Sequence, residues 1–398
     1  MSFELTEGRA ECPAGFRAGA FAAGIKVEGR LDLGLVAASP AASAAALFTK
    51  NLVKAAPVVL SAQNLSRTEG RVGAVLFNSG CANAATGAVG MDAAFATTQA
   101  AAESLNLPPQ ETLAASTGVI GVPLPTEKIL RAVPALARKL SPSGLPDLAQ
   151  SILTTDTRPK AASARLQVDG KTITISGIAK GAGMIHPDMA TMLVLLLTDA
   201  VAKPAFLRRA LRAAAEESFH RISVDGDTST NDSAFLLASG GSGLAPEAEP
   251  FTGALTAVCR SLALQIVRDG EGAKKLLTVT VTGGADDTEA ERVALAVSSS
   301  LLVRTAVAGG DPNWGRILAA VGRAGVAIEP SLVTISVGSV PLFERGAPTA
   351  SKLEEARKAF RENDVTIRVG LSRGSGSATR WTCDLTGGYI RINADYTT

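Results

Sequence analysis

Apolar positions along this chain fall into two rhythms, one of period two and one of helical spacing. Leu166 and Val168, then Ile173 and Ile175, alternate with polar neighbours around Asp169-Gly170, which predicts a hairpin closed by a two-residue turn. The near-continuous apolar run at 192–197 predicts a strand buried on both faces. Residues 72–77 read as a buried strand, weakened by Gly73 and ending in a turn at Asn78-Ser79-Gly80. Residues 93–105 read as an Ala-rich helix that Pro108 and Pro109 cannot continue, and Ser116-Thr117-Gly118 falls in a small-residue loop. Residues 204–219 and 254–267 carry amphipathic helical spacing, with Gly270 as a stop after the second. Val279 and Val281 alternate with threonines as another strand, Asp311-Pro312 opens a helix, and 352–362 is a short polar-faced helix. At the end, Trp381, Cys383 and Leu385, then Gly387-Gly388, then Ile390 and Ile392 predict a hairpin. Helices and strands are intermixed, so an α/β fold is expected. Gly283-Gly284-Ala285-Asp286-Asp287 breaks the pattern and places a lobe boundary near 283–290.

Composition narrows the class. The 398 residues are 46% apolar and 19% charged, the mix of a chain that folds around a sizeable core. A net charge of +2 without a basic stretch argues against nucleic acid as the main partner. Residues 1–11 carry acids and no apolar core, so export is not expected, and the run at 189–198 is too short to span a bilayer. Cys12, Cys81, Cys259 and Cys383 show no CxxC spacing, which points to a reducing, cytoplasmic setting.

The residues with most chemical promise lie at 183–197. There a Gly-rich stretch meets the apolar run at Thr191. A mid-chain Thr hydroxyl is a poor nucleophile, activated either by a neighbouring base or by release of its own α-amine. The second route needs the Ala190–Thr191 bond to break, by attack of Thr191 Oγ1 on the carbonyl of Ala190 and hydrolysis of the resulting ester. On residue types alone, the favoured reading is that Thr191 simply begins a strand.

KGAGMIHPDMATMLVLLLTDA at 180–200 resembles the nucleophile region of the ornithine acetyltransferase family, also called glutamate N-acetyltransferase. GFRAGAFAAGIK (15–26), NSGCAN (78–83), STGVIG (116–121), TTDTRPK (154–160), SVDGDTSTNDS (223–233), RDGEGAKK (268–275), GDPNWGRILAA (310–320) and INADYTT (392–398) resemble family segments in the same order, so the likeness spans essentially the whole chain. It implies self-cleavage into 1–190 and 191–398, the pieces staying associated as an (αβ)2 dimer of pairs. It implies an α-β-β-α-type sandwich related to self-processing amidases and aminopeptidases. Residues 191–285 would complete the sandwich, and about 286–398 would form a smaller α+β lobe.

The resemblance also implies roles. Thr191 is the nucleophile, Thr117 and Gly118 stabilise the oxyanion, and Thr154, Lys180, Glu271, Asn393 and Thr398 bind substrate with Thr191. The chemistry agrees: a tetrahedral intermediate needs two fixed donors, and a cation suits an α-carboxylate. Read without the family, Ser116-Thr117-Gly118 is a turn, Thr154 a turn Thr, and Lys180 and Glu271 are solvated charges. The implied reaction moves acetyl from N2-acetyl-L-ornithine to L-glutamate. No metal or bound cofactor is implied, and acetyl-CoA is a second candidate donor. The rivals are an amidase or aminopeptidase with water as acceptor, and a self-processed binder of amino acids without catalysis. His186 reads as positioning the cleavage loop, His220 as structural, and Cys81 as a small buried side chain. Asp225-Gly226-Asp227 lacks the Gly and Glu of a calcium loop, and the glycines at 181–183 and 374–376 match no phosphate or dinucleotide fingerprint.

Overall fold

A computed structural model describes residues 3–27, 29–186, 192–349 and 353–395. The chain divides into two units, one of the described residues up to His220 with Asp227–Ile266, the other of Arg221–Gly226 with the described residues from Val267 on.

The first unit holds β1 (Phe3–Glu7), β2 (Phe16–Phe21), β3 (Leu33–Phe48), β4 (Arg71–Cys81), β5 (Thr112–Val119), β6 (Lys160–Val168), β7 (Lys171–Lys180), β8 (Leu193–Thr198) and β9 (Ser233–Ala238). They form one sheet in the order β1-β6-β7-β8-β9-β3-β4-β5, with β2 paired to β3. The expected turn is present: Val168 faces Lys171, and Asp169 and Gly170 both take positive φ. The apolar run after Met192 is β8, antiparallel to β7 and parallel to β9, and buried along its whole length. Leu193, Leu195 and Leu197 join a core with Val36, Phe77, Leu113 and Phe235 of β3, β4, β5 and β9. On the other face, Leu196 and the bare backbone of Gly177 meet Leu262 and Val258 of helix Ala248–Arg268. This two-sided burial explains why β8 lacks alternation. Helices Gly87–Leu105 and Thr126–Lys139 cover the outer face of β3 and β4, packing on Leu33, Leu35 and Leu76. Helices thus cover faces of the sheet turned away from the core that β3, β4, β5, β8 and β9 share. Helix Ala248–Arg268 is long and apolar enough to cross a membrane. Its Phe251, Leu255, Val258 and Leu262 are fully buried, however, which is the pattern of a core helix.

The second unit carries β10 (Leu276–Gly284), β11 (Thr334–Val337), β12 (Val340–Glu344), β13 (Ala347–Pro348), β14 (Asp364–Gly370) and β15 (Gly376–Cys383), in the order β13-β12-β11-β14-β10-β15. Helices Asp287–Ser298, Leu301–Gly309 and Trp314–Gly322 begin at Asp286, Ser300 and Asn313, whose side chains accept from the N–H groups of Glu289, Val303 and Arg316.

Several expectations are corrected. The unit boundary falls at Ile266/Val267, not near 285, because β10 pairs with β14 and β15 and so belongs to the second sheet. Asn78-Ser79-Gly80 and Ser116-Thr117-Gly118 are neither turn nor loop but the paired ends of β4 and β5. The expected C-terminal hairpin is β15 followed by helix Gly387–Asp395, and Ile390 there is 67% exposed, so its alternation marks no buried strand face. The helix after Asp311-Pro312 is capped two residues later, at Asn313.

Candidate active site

The parallel strands β4 and β5 run side by side to their carboxyl ends, with Ser79 opposite Thr117 and Gly80 opposite Gly118. Gly118 has φ of +130°, and a Cβ built there would lie 2.3 Å from the backbone carbon of Gly80. Only glycine fits such an approach. Asn231 reinforces the strand end by donating from Nδ2 to the carbonyls of Ser116 at 2.8 Å and Ala82 at 2.6 Å. Gly118→Ala is expected to destabilise the protein by about 2 kcal/mol or more. A thermal midpoint equal to wild type would mean that the two glycine strands do not meet this closely.

The β6–β7 hairpin brings its two ends, Lys160 and Lys180, to the same edge of the sheet. Lys180 is 3% exposed, not a solvated surface charge. Its Nζ donates to Thr154 Oγ1 at 2.8 Å and to Thr117 Oγ1 at 3.2 Å. Beneath them lies Asp156, a fully buried carboxylate that the sequence reading passed over. It accepts from Lys160 Nζ at 2.5 Å, Gly181 N at 2.6 Å and Thr154 N at 3.0 Å, and lies 3.9 Å from Lys180 Nζ. Burial alone would raise the proton affinity of Asp156. The charges of Lys180 and Lys160, with these hydrogen bonds, outweigh it and hold the group well below the usual carboxylate range. Its only trace in the sequence is the spacing of Asp156 and Lys160 in TTDTRPK, which without a helix carries no meaning.

The structure thus gathers Thr117, Gly118, Thr154 and Lys180 at one place. Ala190, Thr191 and Thr398 lie outside the described residues. Met192, the residue after Thr191, donates its N–H to Asp232 Oδ1 at 3.1 Å, and Leu193 pairs with Lys180 on one side and Ser233 on the other. Asp232 is 1% exposed, and burial pushes its carboxyl well above the usual range despite the Met192 N–H, the hydroxyls of Thr49 and Ser229 and the charge of Lys180; among the described residues its Oδ2 has no hydrogen-bond partner. The polar run SVDGDTSTNDS gives no hint which acid would be buried. Cys81 fits its expected role: it is 3% exposed, and burial raises its thiol, which disfavours the nucleophilic thiolate. His220 Nδ1 lies 3.2 Å from Glu216 Oε1.

In the second unit Asn393 Nδ2 donates to Glu271 Oε2 at 2.7 Å and to the Tyr389 carbonyl at 3.0 Å. The helix that replaces the expected hairpin is what carries Asn393 to Glu271.

A family model described as the ArgJ family matches residues 17–398. A Dehalococcoides mccartyi (strain CBDB1) protein named arginine biosynthesis bifunctional protein ArgJ is 46% identical over 402 residues, covering 99% of this chain and 98% of its own. One of the same name from Gloeobacter violaceus is 44% identical over 404 residues, covering 100% and 99%. Among solved structures, arginine biosynthesis bifunctional protein argJ from Bacillus halodurans matches with 42% identity and a TM-score of 0.49, over 51% of this chain and 98% of that one.

Proposed function

Because the chain belongs to the ArgJ family of arginine-biosynthesis enzymes, which are acyltransferases, we propose that it moves the acetyl group of N2-acetyl-L-ornithine to L-glutamate through an acetyl ester on Thr191. The observation that carries this reading is the convergence of Thr117 and Thr154, from two separate motifs, on the buried ammonium of Lys180, from a third.

In the proposed sequence, the Ala190–Thr191 bond is cleaved first, which frees the Thr191 α-amine. That amine takes the hydroxyl proton as Oγ1 attacks the acetyl carbonyl, then returns it to the leaving amine of ornithine. Thr117 and the backbone N–H of Gly118 hold the oxyanion, with Lys180 Nζ 3.2 Å from Thr117 Oγ1 adding positive charge. Glutamate then attacks the ester, giving N-acetylglutamate and free Thr191. Lys180 and Thr154 bind the α-carboxylate that both substrates share. Glu271, Asn393 and Thr398 complete the substrate contacts, with Glu271 suited to an amine of ornithine. No metal or bound cofactor enters the scheme. Acetyl-CoA is proposed as a second donor, in keeping with the word bifunctional in the relatives' names, and the cleaved pieces are proposed to assemble as (αβ)2.

Donor labelled in its acetyl group tests the scheme. The label is expected in N-acetylglutamate, with parallel lines in double-reciprocal plots. Label accumulating as free acetate would favour the amidase reading, and intersecting lines would remove the covalent intermediate.

A further inference from the structure

We propose that Lys26 is a second carboxylate-binding cation of this site, one that contacts an anionic end of the amino-acid substrate. The inference rests on the reading of the site given above and adds a residue to it.

Lys26 lies within the connection between β2 and β3, whose shape is fixed from beneath. Asp32, fully buried at the foot of β3, accepts the N–H groups of Ala23 at 2.6 Å, Ile25 at 2.6 Å and Lys26 at 3.0 Å. These three donors occupy the carboxylate with backbone. The Lys26 stem then crosses the end of β4: a Cβ built on Gly80 would lie 2.8 Å from Lys26 Cγ. Gly80 is the residue that faces Gly118 across the strand pair. At the tip, Lys26 Nζ donates to the Leu153 carbonyl at 2.7 Å. The next residue, Thr154, accepts from Lys180 Nζ at 2.8 Å. Two ammonium groups from distant parts of the chain therefore meet consecutive residues of one short segment.

Among the described residues, the charges that act on Lys26 are the cations Lys180 and Arg30 and the carboxylates Asp32 and Asp156. Asp32 is held by backbone N–H groups, and Asp156 is engaged by Lys160 at 2.5 Å. Burial lowers the proton affinity of Lys26, Asp32 opposes this, the charge of Lys180 adds to it, and the group settles at about 8. At neutral pH it carries its charge at a cost that a bound carboxylate relieves. An ammonium has three N–H donors, so donation to the Leu153 carbonyl leaves capacity for a ligand oxygen. Both substrates bring an α-carboxylate, and glutamate brings a second at the end of its side chain.

The test uses the self-cleaved enzyme with Lys26→Met, Lys26→Gln and Lys26→Arg. Michaelis constants are measured for acetylornithine, glutamate and glutamine, and acetyl loading by acetylornithine alone is read from intact mass. Losing a charged hydrogen bond should raise the affected Michaelis constant about ten- to hundred-fold in the Met and Gln variants, with kcat within a few-fold of wild type and Arg restoring most of the loss. A rise confined to glutamate identifies its side-chain carboxylate as the partner. A rise shared by acetylornithine, glutamate and glutamine identifies the α-carboxylate. Michaelis constants within two-fold of wild type, a fall in kcat alone, or failure of both neutral variants to fold and self-cleave would overturn the proposal. Absence of the acetyl increment in wild type would instead overturn the ester intermediate, a result separate from the Lys26 comparison.

Discussion

A Thr191→Ala protein is expected to remain a single polypeptide and to lose acetyl transfer by about ten-thousand-fold or more. The wild-type protein should give two masses, one ending at Ala190 and one beginning at Thr191. The size of the effect follows from chemistry. Under the proposed mechanism one residue supplies both nucleophile and base, and the base does not exist until the backbone is cut. Alanine removes the hydroxyl that would attack the preceding carbonyl, so both functions vanish together. Thr191→Ser, which keeps both groups, should still cleave and turn over. Cleavage of wild type at any other bond would remove Thr191 from the mechanism, as would a single uncut wild-type chain that transfers acetyl at full rate.

The second large effect concerns stability. Asp156→Ala should destabilise the protein by about 3–5 kcal/mol, because it leaves the ammonium groups of Lys160 and Lys180 buried without their shared carboxylate. The same group sets an acid limb. Its folded-state proton affinity lies below the unfolded value of about 4, so its contribution is complete above that pH and fades as pH falls through the folded value. Asp232 acts in the other sense: its raised affinity favours the fold most below about pH 4 and weakens it as pH rises through the folded value. Urea midpoints measured between about pH 2 and 6 should therefore fall more steeply toward acid in wild type than in Asp156→Asn. Coincident slopes would show that the Asp156 cluster does not govern acid unfolding.

Much of this was legible from periodicity. β8, the β6–β7 turn and five of the helices follow from spacing and turn chemistry, which are local. The errors share a cause. β4 and β5 continue through Asn78-Ser79-Gly80 and Ser116-Thr117-Gly118 because each lends the other a bare backbone, and that fit exists only after the strands pair. The boundary glycines Gly283 and Gly284 end β10 rather than a unit, since its partners β14 and β15 lie far along the chain. Thr117, Gly118, Thr154 and Lys180 were singled out through resemblance, but the Asp156 cluster beneath them was not. The buried states of Asp156, Lys160 and Lys180 depend on partners brought together by the fold, and a sequence shows only that they are charged.

The strand order carries one more consequence. β8 and β9 lie side by side between β7 and β3. Once the proposed cut is made, the downstream piece owns two inner strands whose outer edges are both held by the upstream piece. Unfolding would then release two molecules, and recovery would need an encounter that falls off with dilution. The enzyme would be a one-way assembly, built while its parts are tethered and afterwards preserved by the slowness of coming apart rather than by the ease of reforming.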